Sequence, residues 1–140
     1  MSCSSREVAE SGLHAALVDS VPAVLDTVLA VVVLYNRSFK DVPCAMRLKQ
    51  WLAAPRVASV HLSLAHCLIY DNSPVAQPLD CVGCDRVVSF HDASNGGTQA
   101  ASLYALKLAK LKGHRWILFL DHDTDLPADF FQDAERALAA

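Results

Sequence analysis

The chain has 140 residues, a length that fits about one domain and suffices for a real hydrophobic core. Hydrophobic residues make up 53% of it and charged residues 19%, which excludes an intrinsically disordered chain. The formal charge of −3, with Lys and Arg gathered into no run, gives no footprint for nucleic acid. An anionic ligand would have to be held by a metal or by backbone N–H groups.

Ser4-Ser5-Arg6-Glu7 has capping-box spacing and predicts a short helix towards Val18, ended by Pro22. Residues 1–27 therefore read as an N-terminal helical extension and 28–140 as the core domain. Val28 to Tyr35 is almost entirely β-branched or aliphatic and predicts the first strand, closed by Asn36-Arg37-Ser38. Asp41 and Pro43 then open a helix of about three turns with Ala45, Met46, Leu48, Trp51 and Leu52 on its apolar side. Cys67 to Tyr70 predicts a second strand that stops at Asp71-Asn72-Ser73-Pro74. The segment after it, with Pro78 and Gly83, is too broken for a helix. Arg86 to Phe90 predicts a third strand ending at His91-Asp92. Ser94-Asn95-Gly96-Gly97 is a turn, Thr98 to Lys112 a long helix, and Gly113 its cap. Trp116 to Leu120 is the fourth strand, and it runs into Asp121-His122-Asp123.

The alternation of strands and helices predicts an α/β fold with a parallel sheet flanked by helices. Parallel strands put their carboxyl ends on one edge, and the residues there are Asn36, Asp71, His91, Asp121 and Asp123. Two carboxylates at the tip of one buried strand repel unless a cation pairs them. Oxygen ligands of this kind suit Mn2+ or Mg2+. Asp71 can equally serve its own turn, and Asn95-Gly96-Gly97 a helix start. His91 and His122 read as structural or solvent-facing, and Asp125 and Asp129 as serving the Leu126-Pro127 turn and the helix after it.

The apolar stretch from Thr27 to Tyr35 is far short of the roughly 20 residues of a membrane span, and no signal peptide is legible. The cytoplasm is the expected location, with the inner face of the membrane as the alternative. Five cysteines, an odd number, argue for reduced thiols. Cys81 and Cys84 form the one paired spacing, and without a second pair they read as loop or core thiols ahead of zinc ligands.

VVVLYNR, IYDNS, SNGG and WILFLDHDT, in this order from about Val28 to Phe131, resemble the nucleotide-sugar half of family 2 glycosyltransferases, in particular the rhamnosyltransferase-like branch. The resemblance implies a Rossmann-like sheet of GT-A type. It implies inverting, metal-dependent transfer of a sugar from a UDP- or dTDP-linked donor to a saccharide or lipid-linked acceptor, in cell-envelope polysaccharide synthesis. By position, Asp71 would accept a hydrogen bond from the base and Asn36 would line the base pocket. Asn95 and Gly96 would border the donor, Asp121 would face the ribose or the metal, and Asp123 would ligate the metal. Where the family often carries an aromatic-Asn pair, this chain reads Ser102-Leu103-Tyr104. The family continues into an acceptor-binding half that carries the general base. The chain, stopping at Ala140, is therefore expected to be an incomplete glycosyltransferase domain, with no general base assigned. Two other readings stand beside this one. The first is a non-catalytic donor-binding module. The second is a haloacid-dehalogenase-like phosphatase, whose motif usually reads Asp-x-Asp-Gly-Thr near the amino terminus. Apolar surface near Phe130, Phe131 and the last strand is expected to be exposed and to favour self-association.

Overall fold

The computed structural model describes residues 26–53, 62–79 and 85–139. The expected amino-terminal helix, Cys81 and Cys84 lie outside these residues. Among these residues four strands and three α-helices follow one another: β1 (Asp26–Leu34), α1 (Ala45–Ala53), β2 (Leu62–Asp71), β3 (Val87–His91), α2 (Gly97–Lys112), β4 (Trp116–Asp121) and α3 (Phe130–Ala139), with a 3-10 turn at Phe39–Asp41 before α1. These four strands are parallel, in the order β3-β2-β1-β4. The fold is Rossmann-like α/β.

The order follows from the crossovers. The chain steps outward from β1 through β2 to β3, then returns to the other side of β1 for β4. Crossovers of one hand then place α1 and α2 on opposite faces of the sheet. The packing agrees. Val28, Ala30, Val32 and Leu34 of β1 face Ala45, Leu48 and Leu52 of α1, with Phe130 and Phe131 of α3 packed against the same cluster. Leu29 and Val31 face the other way, onto Ala105 and Ala109 of α2. Buried on both faces, β1 carries the unbroken apolar run expected of a central parallel strand. Small alanines at intervals of four let α2 lie close on the sheet, and Gly113 ends it in the left-handed conformation with φ 76°.

Several boundaries differ from expectation, the start of β1 at Asp26 instead of Val28 among them. β2 begins at Leu62, five residues before Cys67, because Leu62, Leu64 and Ala65 are buried in the sheet. A register shift opposite Val28 and Leu29 breaks the alternation there. His66, which interrupts the apolar pattern, is accommodated by a bond of 2.9 Å between its Nδ1 and Nε2 of His114. α1 starts at Ala45 because Asp41 ends the 3-10 turn and Pro43 lies in the turn that follows. Met46 is 71% exposed, since Ala45, Leu48 and Leu52 make a stripe that Met46 does not join. Finally, β1 closes at Leu34, leaving Tyr35 exposed.

Cys44 and Cys67 are buried, and burial pushes the Cys44 thiol up to about 11. At neutral pH it is a packing group, not a nucleophile. Trp116 is half-buried, as expected, and Phe130 and Phe131 are half-buried against Trp51. Phe119 and Leu138 keep about half their surface exposed.

Candidate functional site

The register brings the four strand ends to one rim. Phe90, Tyr70, Val33 and Asp121 stand in one row across the sheet, and His91, Asp71 and Leu34 in the next. Rows alternate between faces. The first row faces α2, where Tyr70 and Phe90 pack on Tyr104. The second faces the α1 side. Asp71 and Asp121 therefore share the rim but open onto opposite faces of it.

Asp71 is buried, and both its oxygens are engaged. Oδ1 accepts from the backbone N–H of Ser73 at 2.9 Å and Oδ2 from that of Gln77 at 2.7 Å. The carboxylate thus folds the loop after β2 around itself. Two neighbours pin that loop. The Asn36 backbone N–H donates to Ser73 Oγ at 2.7 Å, and His91 Nε2 donates to the Ser73 carbonyl at 2.8 Å. Asn36 reaches this position in the left-handed conformation, φ 53°, with its side chain exposed. His91 thus braces the loop from the exposed end of β3. Asn72 is buried, and its Oδ1 has no hydrogen-bond partner among the described residues. That leaves at the rim an acceptor which an N–H or O–H of a ligand can meet.

Beside Asp71 a small cleft of about 90 Å³ is lined by Leu34, Ile69, Gln77, Pro78, Phe90 and His91, among others. Ligand pockets commonly span roughly 300–1,000 Å³. The cleft holds a fragment of a ligand at most, and Asn36 does not line it.

The turn from β3 to α2 is organised by Asp92, which the sequence marks only as the end of a strand. Its Oδ1 accepts from both the N–H and the hydroxyl of Ser94, and its Oδ2 from Tyr70 Oη at 2.8 Å and the Gly96 N–H at 3.2 Å. An Asp two residues before a Ser was the available signal; the partner on β2 was not legible. Asn95 takes φ 53° within this turn. A Cβ at Gly96 would stand 2.5 Å from Ala100 Cβ and 2.8 Å from Asp92 Oδ2. Gly96→Ala is expected to lower stability by about 1–3 kcal/mol through overpacking, read in a denaturant titration. An unchanged midpoint would contradict the packing of this turn.

The bonds to Ser94 and then Tyr70 hold the Asp92 carboxyl below its ordinary 3.8. Burial, followed by the bond to Asp92, pushes the Tyr70 phenol from 10.0 up to about 12. The folded state favours ionised Asp92, so that contribution is present above about pH 4 and fades as the pH falls. It favours neutral Tyr70, so that contribution is full below pH 10 and is lost as the pH rises towards 12. Melting curves across pH should show an alkaline loss that is smaller in Tyr70→Phe and an acid loss that is smaller in Asp92→Asn. Parallel profiles for parent and variants would refute the pairing.

Asp121 and Asp123 are both exposed on the turn that leaves β4, which is closed by the Thr124 N–H on the Asp121 carbonyl at 3.1 Å. Arg37, just past β1, donates from Nη1 to the His122 carbonyl at 3.3 Å. This contact ties the two strand ends across the place where the strand order reverses, and it supplies a half-buried cation there. The switch point of an open parallel sheet is where ligands bind.

Among the described residues no group of three or more His, Cys, Asp and Glu is gathered to hold a metal. Two exposed carboxylates on one turn fit Mg2+ or Mn2+, which take one or two carboxylates and complete their shell with substrate phosphates and water. Among the described residues no helix is long and apolar enough to cross a membrane. Comparison with family models, curated proteins and solved structures finds no match.

Proposed function

We propose that the chain is the donor-binding part of a GT-A type glycosyltransferase, binding a nucleoside-diphosphate sugar along the carboxyl rim of its sheet. One observation carries the reading. Arg37 and the Asp121-His122-Asp123 turn meet at the β1/β4 switch point, on the rim that also bears Asp71 and the Asn95-Gly96 turn. Asp121 and Asp123 would hold Mn2+ or Mg2+, which when bound offsets the negative charge of the diphosphate. Arg37 would add a fixed cation beside it. Asp71 keeps free lone pairs after its two backbone bonds and can accept an N–H of a uracil or thymine base. Asn95 and Gly96 border the same rim. The transferred sugar would go to a saccharide or lipid-linked hydroxyl at the cytoplasmic face of the membrane. The residue that deprotonates the acceptor is assigned to no position of this chain, so the isolated chain binds donor and turns it over little.

Saturation-transfer NMR with UDP- and dTDP-linked sugars in Mg2+ tests this reading. Contacts should fall mainly on the base and ribose protons. Absence of transfer to either nucleotide would overturn the proposal. Hydrolysis of p-nitrophenyl phosphate in Mg2+ that is abolished by Asp121→Asn would replace it with a phosphatase.

A further inference from the structure

We propose that the outer face of α2 is a docking surface for an anionic lipid bilayer. The helix rests on the sheet through Ala101, Ala105 and Ala109. Away from the sheet, at helical spacings of three and four, stand Leu103, Leu106, Lys107, Lys110 and Leu111. The three leucines are 55%, 57% and 83% exposed, and the two lysines are exposed as well.

A helix apolar on both its inner and its outer side is built to be covered on both. Charge identifies the cover. Although acids outnumber Lys and Arg by 15 to 12 in the whole chain, no Asp or Glu occurs from Ala93 to Leu120. The outer face of α2 is thus a local reversal of the protein's sign. The interleaving of leucine with lysine on a convex surface is poor material for a protein interface. Such interfaces are depleted in Lys and enriched in Arg and aromatic residues, and this face has neither. It matches a headgroup layer. Leucines enter the acyl boundary while lysine stems lie along it and their ammonium groups stay among anionic phosphates.

The inference does not depend on the glycosyltransferase reading. On that reading it adds a placement. A helix lying in the headgroup layer brings its amino end, which starts at the rim, level with the hydroxyl of a lipid-linked acceptor.

Co-sedimentation of the full chain with vesicles, without nucleotide or metal, tests the proposal independently of donor binding. The chain should bind vesicles of phosphatidylcholine containing about one-third phosphatidylglycerol and should be released by high salt. Lys107→Gln and Lys110→Gln should each lower the partition coefficient about fivefold, and together about twenty-five-fold. Leu103→Ser with Leu106→Ser should also release the chain. All four positions are exposed, and matching circular dichroism spectra will exclude misfolding as the cause. Equal binding to pure phosphatidylcholine, no binding to either vesicle, or undiminished binding by the double lysine variant would overturn it. So would a lipid-free dimer, seen by sedimentation equilibrium, that the leucine variant dissolves, since the face would then join two copies of this chain.

Discussion

Asp71→Ala is expected to lower the unfolding free energy by about 2–4 kcal/mol and the melting temperature by on the order of 10 °C. The reason is the double engagement of its carboxylate. The N–H groups of Ser73 and Gln77 both point at it from a loop that is itself held by Asn36 and His91. Alanine strands both donors, and each bond to a charged acceptor is worth about 1.5–3 kcal/mol, with the sum reduced by local relaxation. Asp71→Asn keeps one acceptor oxygen and should lose about half as much. The same variant should weaken nucleotide binding equally with and without metal, because the proposed partner of Asp71 is the base. A melting temperature within about 2 °C of the parent for Asp71→Ala would show that the loop closes without the carboxylate.

Asp123→Asn should act on binding alone. Its side chain is exposed, so the stability change should stay within about 0.5 kcal/mol. In the presence of UDP, affinity for Mn2+, followed by the electron paramagnetic resonance of the free ion, should fall by about 1.5–3 kcal/mol. The amide keeps the shape of the side chain and removes its charge. Together with Asp71→Asn, this variant separates the two ends of the proposed donor: one loses the metal, the other the base. Loss of stability comparable to that of Asp71→Ala would instead make Asp123 a structural residue of the turn.

What could be read in the sequence follows from where each signal resides. β1 was legible because a central parallel strand, buried on both faces, needs an unbroken apolar run; β4 was located by its run as well, but it is an edge strand, mostly half-buried and with Phe119 exposed, and not the buried strand its apolar residues predict. β3 and α2 fell within a residue of expectation because Asp92 and Gly113 mark their ends with local chemistry. The first half of β2 was hidden by Ser63 and by His66, whose polarity is answered by His114, 48 residues away. No local pattern announces such a pairing. Met46 departs from expectation because a single apolar residue on a short helix does not reveal which stripe faces the sheet.

At the rim the same division holds. Convergence of Asn36, Asp71, His91 and Asp121 followed from parallel topology and was legible. The split of Asp71 and Asp121 between two faces depends on register, which pairing sets and composition does not. The bond from Ser73 N–H to Asp71 is an ordinary turn contact that Asp-Asn-Ser-Pro suggests. The bond from Gln77, the Tyr70–Asp92 pair and the Arg37–His122 contact are tertiary, and only the fold displays them.

Calorimetric titration of the parent chain with UDP, once in Mn2+ and once in EDTA, bears most directly on the claim that this rim holds a nucleoside diphosphate against a metal. The account predicts measurable binding in Mn2+ that is lost or reduced at least about tenfold in EDTA, a difference of about 1.4 kcal/mol or more. Equal affinity in the two buffers, or no binding in either, would contradict it.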